Sequence, residues 1–353
     1  MRAAWGLVVA TVILAGCGGT PAPKHAAART PTPAETPTPV AVLTPPPTLS
    51  PSVPPRSASA ATYARLATFN CRLPISNGQP GSGGFIAVPG GTFTSDPASN
   101  VAIDWTGAPP PKQQPGPMGA GRPPAYGVSF DRAVSKWLPV GAGWIALDGQ
   151  SYAYPDFAGG GVRWVKIADG SVTTMGASNN WNVLDVEAEG AYAQLSNGAG
   201  PAGAGLWLLA PGKDPVQVVA GGYWQWVTTG FAYGFDAPSV PQGAPHPLLR
   251  LNLRDHTTET WYQNGASIQW IAGFDRGGAP IAVFQSASGY FGAPAETALI
   301  AHPDQKNTLL WSPQGAQAPA VEDSHGLWMV ADQVYFNSVP VAPIQGELGG
   351  GCA

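Results

Sequence analysis

The chain has 353 residues, of which 44% are hydrophobic and 11% charged, and its 17 basic and 21 acidic residues give a formal net charge of −4. Four of the basic residues and one acidic residue precede residue 58, so residues 58–353 carry a net charge of −7. A region this acidic has no basic stripe to neutralise phosphates, which argues against nucleic acid as a partner. The 46 Gly and 13 Trp predict short strands joined by tight turns.

The first 17 residues, MRAAWGLVVATVILAGC, are typical of an export signal, with a basic start and an apolar run from Leu7 to Leu14. The run is too short to span a bilayer as a helix. Its ending, LAGC, resembles the lipobox of bacterial lipoproteins, which implies cleavage before Cys17 and a lipid on the Cys17 thiol. We therefore expect a signal peptide at 1–16 and an extracytoplasmic chain anchored to the cell membrane. The alternative is an ordinary secretory signal in which Cys17 is incidental.

Residues 17–57 predict a disordered Pro/Thr-rich tether between the lipid anchor and a folded domain. Between Gly18 and Ser57 the chain holds 12 prolines and 7 threonines and almost no large apolar side chain. This composition cannot bury enough surface to offset ordering, so the segment is expected to be extended. A proline-rich ligand for a recognition module is the other interpretation. The folded domain is expected at 58–353.

Four segments of this domain share one order of strands and turns. The first, WIALDGQSYAYPDF followed by VRWVKIADGSVTTM, shows it best: an apolar stretch, a turn, a strand with aromatics, a third strand, a polar turn and a fourth strand. Corresponding second strands carry Tyr152, Tyr192, Tyr233, Ile281 and Trp328. Corresponding turns between third and fourth strands carry Gly170, Gly212, Asp255 and Asp304. Both sets recur every 40 to 49 residues, which indicates the four-stranded blades of a β-propeller.

The length from Gly84 to Cys352 predicts an all-β propeller of six four-stranded blades, with seven as the alternative. GGFIAVPGGTFTSD predicts the hairpin that begins the first blade, and YGVSFDRAVSKWLPV is expected to supply its later strands. The Pro/Gly-rich stretch between them, TGAPPPKQQPGPMGAGRPPA, predicts an exposed loop. After EDSHGLWMVADQVYFN the last blade is short of strands.

The first repeat resembles the degenerate WD40-like blades of TolB-type propellers. Their Asp-Gly turns and aromatic strand are matched by Asp148, Gly149, Tyr152, Asp169 and Gly170. Where such blades have Ser-Pro, this chain has Ala146 and Leu147. The chain is also similar to propeller lipoproteins of high-GC and soil bacteria. These resemblances imply the fold and no particular reaction, since such propellers serve many functions.

Aromatic and amide residues near the start of successive blades are the first candidates for a ligand site. A cluster of rings and amides at one channel mouth would suit a sugar or a peptide. The alternative is that the tryptophans fill the space between stacked sheets. The candidates are Trp144, Asn179, Asn180, Trp181, Trp224, Gln225, Trp226, Gln269 and Trp270.

A second candidate is the polar turn EDSHG, which contains Asp323 and His325. Adjacent positions on one turn do not guarantee that a carboxylate and an imidazole converge with ligands from elsewhere, so a solvated turn is the alternative. No motif for a nucleophile, a phosphate site or a zinc protease is found, and five histidines leave little for a multi-histidine centre. We expect no metal and no cofactor.

Cys71 and Cys352 are expected to form a disulfide. A propeller closes by pairing its first blade with its last, and FNCRLPIS at 69–76 is a spare apolar stretch that is expected to complete the final blade. An oxidising compartment would let the bond persist. The GGG before Cys352 gives it the reach to meet Cys71 at the seam, the place where the first and last blades meet.

These observations favour a binding or scaffold module for a cell-envelope polymer or an exported protein, held to the membrane through lipidated Cys17 and acting as a monomer. The rival hypothesis is a hydrolase or lyase that acts on glycans with carboxylates at the channel mouth. Such enzymes need two carboxyl groups about 5 to 10 Å apart. The carboxylates to test are Asp185, Glu187, Glu189, Glu322 and Asp323.

Overall fold

Short antiparallel strands make up most of the residues that the computed structural model describes, which are 69–103, 127–156, 159–177, 180–195, 205–236, 246–284, 294–312, 315–343 and 346–353. All of them belong to one unit, Pro55–Ala353. The predicted signal, the lipidation site Cys17, the tether, Asn179 and the Pro/Gly-rich loop lie outside the described residues. No helix of the described part is long and apolar enough to cross a membrane.

The strands are two to eight residues long. In chain order they are β1 (Cys71–Ser76), β2 (Gly84–Val88), β3 (Phe93–Ser95), β4 (Ser129–Asp131), β5 (Lys136–Leu138), β6 (Ser151–Pro155), β7 (Val162–Lys166), β8 (Val172–Met175), β9 (Trp181–Glu187), β10 (Gly190–Leu195), β11 (Gly205–Leu209), β12 (Val216–Ala220), β13 (Tyr223–Thr228), β14 (Phe231–Phe235), β15 (Leu248–Asn252), β16 (Thr258–Tyr262), β17 (Ile268–Phe274), β18 (Pro280–Phe284), β19 (Ala295–His302), β20 (Gln305–Ser312), β21 (Gln317–Glu322), β22 (Leu327–Val330), β23 (Gln333–Phe336), β24 (Val339–Pro343) and β25 (Glu347–Leu348). Single 3₁₀ turns occur at Pro97–Ser99, Ala142–Trp144 and Gly265–Ser267.

These strands form six blade-like sheets in the described part of the chain. The strands β9 to β12 and β13 to β16 form two separate four-stranded meanders. The strands β17 to β20 and β21 to β24 form two more, joined into one eight-stranded sheet where β17 and β21 run parallel. In the unit of β6 to β8, Ile145 takes the innermost position through a single bridge to Tyr152. The sixth sheet has the order β25-β1-β2-β3.

The repeat landmarks fall where the sequence pattern predicts them. The second strands β6, β10, β14, β18 and β22 contain the five aromatic or apolar landmarks, and the turns after β7, β11, β15 and β19 contain the four turn landmarks. The turn residues Gly170, Gly212 and Asp304 have φ of 69°, 70° and 56°. Such left-handed backbone suits glycine and is tolerated by aspartate. The all-β propeller is therefore confirmed, and the described residues form six blade-like sheets, of which the one built from β6 to β8 has three strands.

The ring closes in the opposite sense to the predicted one. The FNCRLPIS segment does form a strand, β1, but it pairs with β2 and with β25 rather than completing the last blade. Leu73 and Ile75 are fully buried, so the apolar alternation of β1 holds it in the first sheet. The last blade needs no added strand because β21 to β24 complete it. It is the C-terminal β25 that completes the first blade.

The strands expected to finish the first blade also lie elsewhere. The YGVSFDRAVSKWLPV segment forms β4 and β5, which pair only with each other. Trp137 of β5 packs with Phe85 of β2 and Phe130 of β4 in a small separate cluster. The hairpin therefore packs its apolar side chains against the first blade, and a backbone hydrogen bond from the Phe130 N–H to the Gly349 carbonyl, at 2.8 Å, ties it to the residue after β25.

The Cys71–Cys352 disulfide is confirmed, with the two Cα atoms 5.6 Å apart across a separation of 281 residues. Next to it, Arg72 and Ala353 exchange two backbone hydrogen bonds, with N···O distances of 3.3 and 2.9 Å. Both sulfur-bearing residues are buried in the cluster that joins the first and last blades. The seam is thus closed by a covalent bond, by backbone pairing and by packing.

Candidate functional site

Four of the five predicted tryptophans are buried. Trp144 and Trp181 share one hydrophobic cluster, while Trp224, Trp226 and Trp270 each pack in a different one. All but Trp270 are at most 6% exposed. A single aromatic surface made of all five rings, as the ligand-site interpretation requires, is therefore not formed. Their burial agrees with the packing alternative.

Hydrogen bonds hold several of these indoles in place. The Trp144 Nε1 donates to the Val183 carbonyl of the next blade, and the Trp270 Nε1 donates to the Ala316 carbonyl, both at 3.2 Å. The Trp181 and Trp224 indoles donate to carbonyls of the turns just before them, at 2.7 and 3.1 Å. A buried indole that already has its acceptor is suited to positioning neighbouring blades.

Two adjacent side chains of β13 do leave polar atoms without partners. The Gln225 Oε1 and the Trp226 Nε1 are both buried, and neither has a hydrogen-bond partner among the described residues. Asn180 is exposed and Gln269 is partly exposed. Ligand binding by any of these four residues stays a prediction, with the two unpaired atoms as its best support.

Asp323 is the centre of a hydrogen-bond network at the seam. Its Oδ2 accepts from the Trp328 Nε1 at 2.9 Å and from the Cys352 backbone N–H at 2.7 Å. Its Oδ1 accepts from the His325 backbone N–H at 2.7 Å. The residue is 7% exposed. Asp323 therefore ties the last blade to the chain beside the disulfide, and little of it is left for a ligand.

His325 lies over the same seam. Its ring stacks on Phe69 with centroids 4.5 Å apart, and its Nδ1 lies 3.3 Å from the Asp323 carboxylate. Asp323, His325 and Cys352 have the side-chain types of a metal site within 4.8 Å of one another. However, the Cys352 sulfur is bonded to Cys71, and both carboxylate oxygens of Asp323 already accept N–H groups. This arrangement fits a structural network better than a metal centre.

Three of the predicted carboxylates cluster at the turn between β9 and β10. Asp185 and Glu187 are within hydrogen-bonding reach of each other, and burial together with the negative charge of Glu187 raises the pKa of Asp185 well above its ordinary value. Burial and the charge of Glu189 raise the pKa of Glu187. Glu189 accepts from the Tyr192 hydroxyl at 3.1 Å. Glu187 thus disfavours ionisation of the neighbouring Asp185 carboxyl group.

The other two predicted carboxylates are engaged elsewhere. Glu322 accepts from the Arg276 backbone N–H at 2.8 Å, and Asp323 belongs to the seam network. Asp185 and Glu187 lie within hydrogen-bonding reach of each other, which is closer than the separation of about 5 to 10 Å that such enzymes need. The geometry therefore supports an acid-base role less well than the sequence did.

A groove beside the seam has the features of a binding site that the sequence interpretation did not identify. It has a volume of about 490 Å³ and is lined by Arg72, Phe85, Asp96, Phe130, Arg132, Ser135 and Ala353. Arg72 extends from β1, and Arg132 and Ser135 belong to the turn between β4 and β5. The volume lies within the range of about 300–1,000 Å³ that is usual for small-molecule sites.

Two aromatic rings, those of Phe85 and Phe130, form the floor of this groove, and Trp137 packs against both of them. Phe85, Phe130 and Trp137 pack in a triad with centroids 5.0 to 5.6 Å apart. The Arg72 guanidinium lies 4.0 Å from the centre of the Phe85 ring, in cation–π geometry. Trp137 Nε1 donates to the Asp96 Oδ2 at 3.0 Å, which fixes both the floor and the acid at its edge.

Only a weak signal in the sequence could have pointed to this groove. Arg72 directly follows a cysteine, and Arg132 belongs to a hairpin that was assigned to a blade. The two arginines lie on one groove because β1 belongs to the first blade and because β4 and β5 form a separate hairpin. The sequence had predicted that β1 completes the last blade and that β4 and β5 belong to the first, and both predictions were wrong. The groove is consequently a product of tertiary structure.

Comparisons with known proteins identify no family for this chain. No family model and no curated protein match the chain. One similar solved structure is a chain from a nidogen–laminin complex, with a TM-score of 0.40, 11% identity, and coverage of 80% of this chain and 97% of that one. Another is TolB from Acinetobacter baumannii, with a TM-score of 0.39, 11% identity, and coverage of 70% and 64%. Likenesses this distant transfer no ligand or activity.

Proposed function

We propose that this protein is a binding or scaffold module, a lipid-anchored β-propeller outside the cytoplasm that recognises a cell-envelope polymer or an exported protein. The observation that carries the proposal is the groove beside the seam, which two phenylalanines and two arginines line. Such a combination of apolar surface with a few directed polar groups is typical of ligand sites. The carboxylates singled out for catalysis line no part of it.

The buried disulfide supports the proposed compartment. Disulfides of this kind persist in oxidising environments such as the exterior of a bacterial cytoplasmic membrane. The lipobox-like LAGC at Leu14 to Cys17 supports the proposed anchor. The test is to express Cys17→Ser beside the natural chain and to separate membranes from soluble material. The natural chain should sediment with membranes and carry a lipid on Cys17 by mass spectrometry, whereas the variant should not. A natural chain with an unmodified Cys17 would end this part of the proposal.

The binding role is tested by co-sedimentation of the detergent-solubilised full chain with washed envelope polysaccharide of the producing bacterium. Saturable binding is expected, with a stoichiometry that reaches a plateau. An arginine double variant, Arg72→Gln with Arg132→Gln, is compared with Arg254→Gln with Arg276→Gln, two exposed arginines outside the groove whose replacement removes the same two positive charges. Absence of saturable binding by the natural chain to envelope polysaccharide or to exported proteins would exclude the binding role.

A glycan-acting hydrolase or lyase is the second candidate. It is favoured by one observation, the raised pKa of Asp185, because a carboxyl group that keeps its proton at higher pH can act as a general acid. Release of reducing ends from envelope polysaccharide, abolished by Asp185→Asn and by Glu187→Gln, would establish it. Equal release by both variants and the natural chain would rule these carboxylates out.

A further inference from the structure

Two arginines in the groove have no counter-charge of their own. Arg72 and Arg132 are both exposed, and neither takes part in any of the five ion pairs among the described residues. Arg72 is held over Phe85, so its position is restricted without its hydrogen-bonding capacity being used. Two guanidinium groups on one concavity that form no ion pair among the described residues are able to hydrogen-bond an anion.

The acid that shares the groove is already bound to the protein. The Asp96 Oδ1 accepts from the Ala98 backbone N–H, and its Oδ2 accepts from the Trp137 indole, both at 3.0 Å. These bonds point the carboxylate toward the 3₁₀ turn and the aromatic floor. Among the described residues neither Asp96 nor Ala353 forms an ion pair with Arg72 or Arg132, so both guanidinium groups keep their hydrogen-bonding capacity for a ligand.

The floor adds an apolar surface of limited size. Phe85 is only 5% exposed, whereas Phe130 is partly exposed at the groove. Flat apolar faces of this kind suit the C–H face of a sugar ring. A protein partner would need about 800 Å² of contact on each side. The large exposed apolar residues that could supply such an area, among them Leu147 and Trp311, do not line the groove.

We propose that the groove binds an acidic glycan, with a carboxylate or phosphate group of the sugar chain held by Arg72 and Arg132 and a sugar ring resting on Phe130. Guanidinium groups match the planar geometry of carboxylates and also bind phosphates through paired N–H groups. The Ser135 hydroxyl, at the groove edge, is an additional donor or acceptor for sugar hydroxyls. This inference rests on the proposed binding function and names its ligand class.

The probe is fluorescently labelled oligogalacturonate, a chain of sugar carboxylates, titrated with the full chain in detergent and followed by anisotropy. The same oligosaccharide with its carboxylates methyl-esterified is the neutral match, and phosphorylated dextran oligosaccharide separates phosphate from carboxylate recognition. We expect Arg72→Gln and Arg132→Gln each to weaken binding on the order of tenfold, as for lost hydrogen bonds between charged groups. Arg254→Gln, the matched control, should leave affinity unchanged.

Phe130→Ala is expected to weaken binding of the sugar chain while leaving its response to salt unchanged, since it removes no charge. Thermal melting and mass analysis of the disulfide verify that each variant is folded. Binding of the acidic chain with loss in both arginine variants supports the inference, and preference for the carboxylate or the phosphate probe identifies the anion.

Equal affinity for oligogalacturonate and its methyl ester would overturn the inference, as would equal affinity of the natural chain and both arginine variants. Retained binding of envelope polysaccharide by the double arginine variant overturns this site and leaves the proposed binding function standing. Binding of an acidic exported protein, displaced by neither glycan probe, overturns the ligand class.

Discussion

At the scale of single residues, Asp323 has the clearest structural role. Its carboxylate accepts the Trp328 indole and the Cys352 amide, and both of these residues are at most 1% exposed. Truncation to alanine would leave both donors buried without an acceptor. We expect Asp323→Ala to lower the free energy of unfolding by about 3 kcal/mol, measured by urea denaturation.

The matched control for this change is Asp214→Ala, which removes an exposed aspartate from the turn before β12. It should alter stability by less than about 0.5 kcal/mol. A loss for Asp323→Ala no larger than that of the control would show that water replaces the lost acceptor and that the network is dispensable.

The pair of Asp185 and Glu187 predicts a particular dependence of stability on pH. Burial and the charge of Glu187 raise the pKa of Asp185 in the folded chain. The pKa of Asp185 is therefore higher in the folded chain than in the unfolded chain. Protonated Asp185 is compatible with folding at low pH, and the chain loses stability as pH rises above about 4 and the buried carboxyl group has to ionise. We expect Asp185→Asn to become progressively more stable relative to the natural chain between pH 4 and pH 8.

The measurement is thermal or urea unfolding at each pH, where each unit of pKa difference contributes about 1.4 kcal/mol. Asp214→Asn is the control and should run parallel to the natural chain across the range. Parallel curves for Asp185→Asn as well would mean that Asp185 titrates alike in the folded and unfolded chains.

At the scale of strands and turns, the parallel contact of β17 with β21 depends on Gly273. A Cβ built at this position would overlap the carbonyl oxygen of Ala320 on the neighbouring inner strand. Because backbone cannot yield as a flexible side chain does, Gly273→Ala must push the two inner strands apart. We expect a loss of about 1–3 kcal/mol in unfolding free energy, measured by thermal and chemical denaturation.

Gly143→Ala is a suitable comparison, since its Cβ would meet only the Leu184 carbonyl oxygen at 3.9 Å, an ordinary contact. That variant should be close to neutral. Similar melting temperatures for the two variants would contradict a close approach of the inner strands at Gly273.

The elements that could be predicted are those whose signal is local and repeated. The aromatic or apolar landmark of each second strand and the turn after each third strand recur along the chain. The repeat period therefore identified both the strands and the turns. The strand β25 has two residues, Glu347 and Leu348, which are too few to show any alternation. Its pairing with β1 spans almost the whole domain, and nothing in the local pattern states which edge it joins.

The candidate site was predictable only where covalent chemistry constrains the fold. Two cysteines in one domain have a single possible partner each, so the disulfide followed from the sequence. The tryptophans gave an ambiguous signal, because burial between blades and exposure at a channel mouth both favour large rings. Arg72 and Arg132 carried no pattern at all, since their proximity is created by the seam.

At the scale of the whole molecule, the disulfide closes a ring whose two ends are 281 residues apart. Cross-linking so distant positions removes more conformational freedom from the unfolded chain than from the folded one, where packing and the pairing of Arg72 with Ala353 already join the ends. In the chain-entropy model, bonds over long loops contribute on the order of 3–5 kcal/mol. We expect Cys71→Ser with Cys352→Ser to lower the free energy of unfolding by this order.

Because the effect acts on the unfolded chain, the same variant should also show a larger dependence of unfolding free energy on urea, as the open chain exposes more surface. Serine replaces each buried sulfur with a group of similar shape, so the native packing of Leu73 and Trp328 around the seam is retained in the comparison. The natural chain and the double variant are also compared under the same reductant, which breaks the disulfide of the natural chain. Their free energies of unfolding should then be equal, because the cross-link is missing from both. A reduced natural chain that remains as stable as the oxidised one would show that noncovalent contacts alone close the ring.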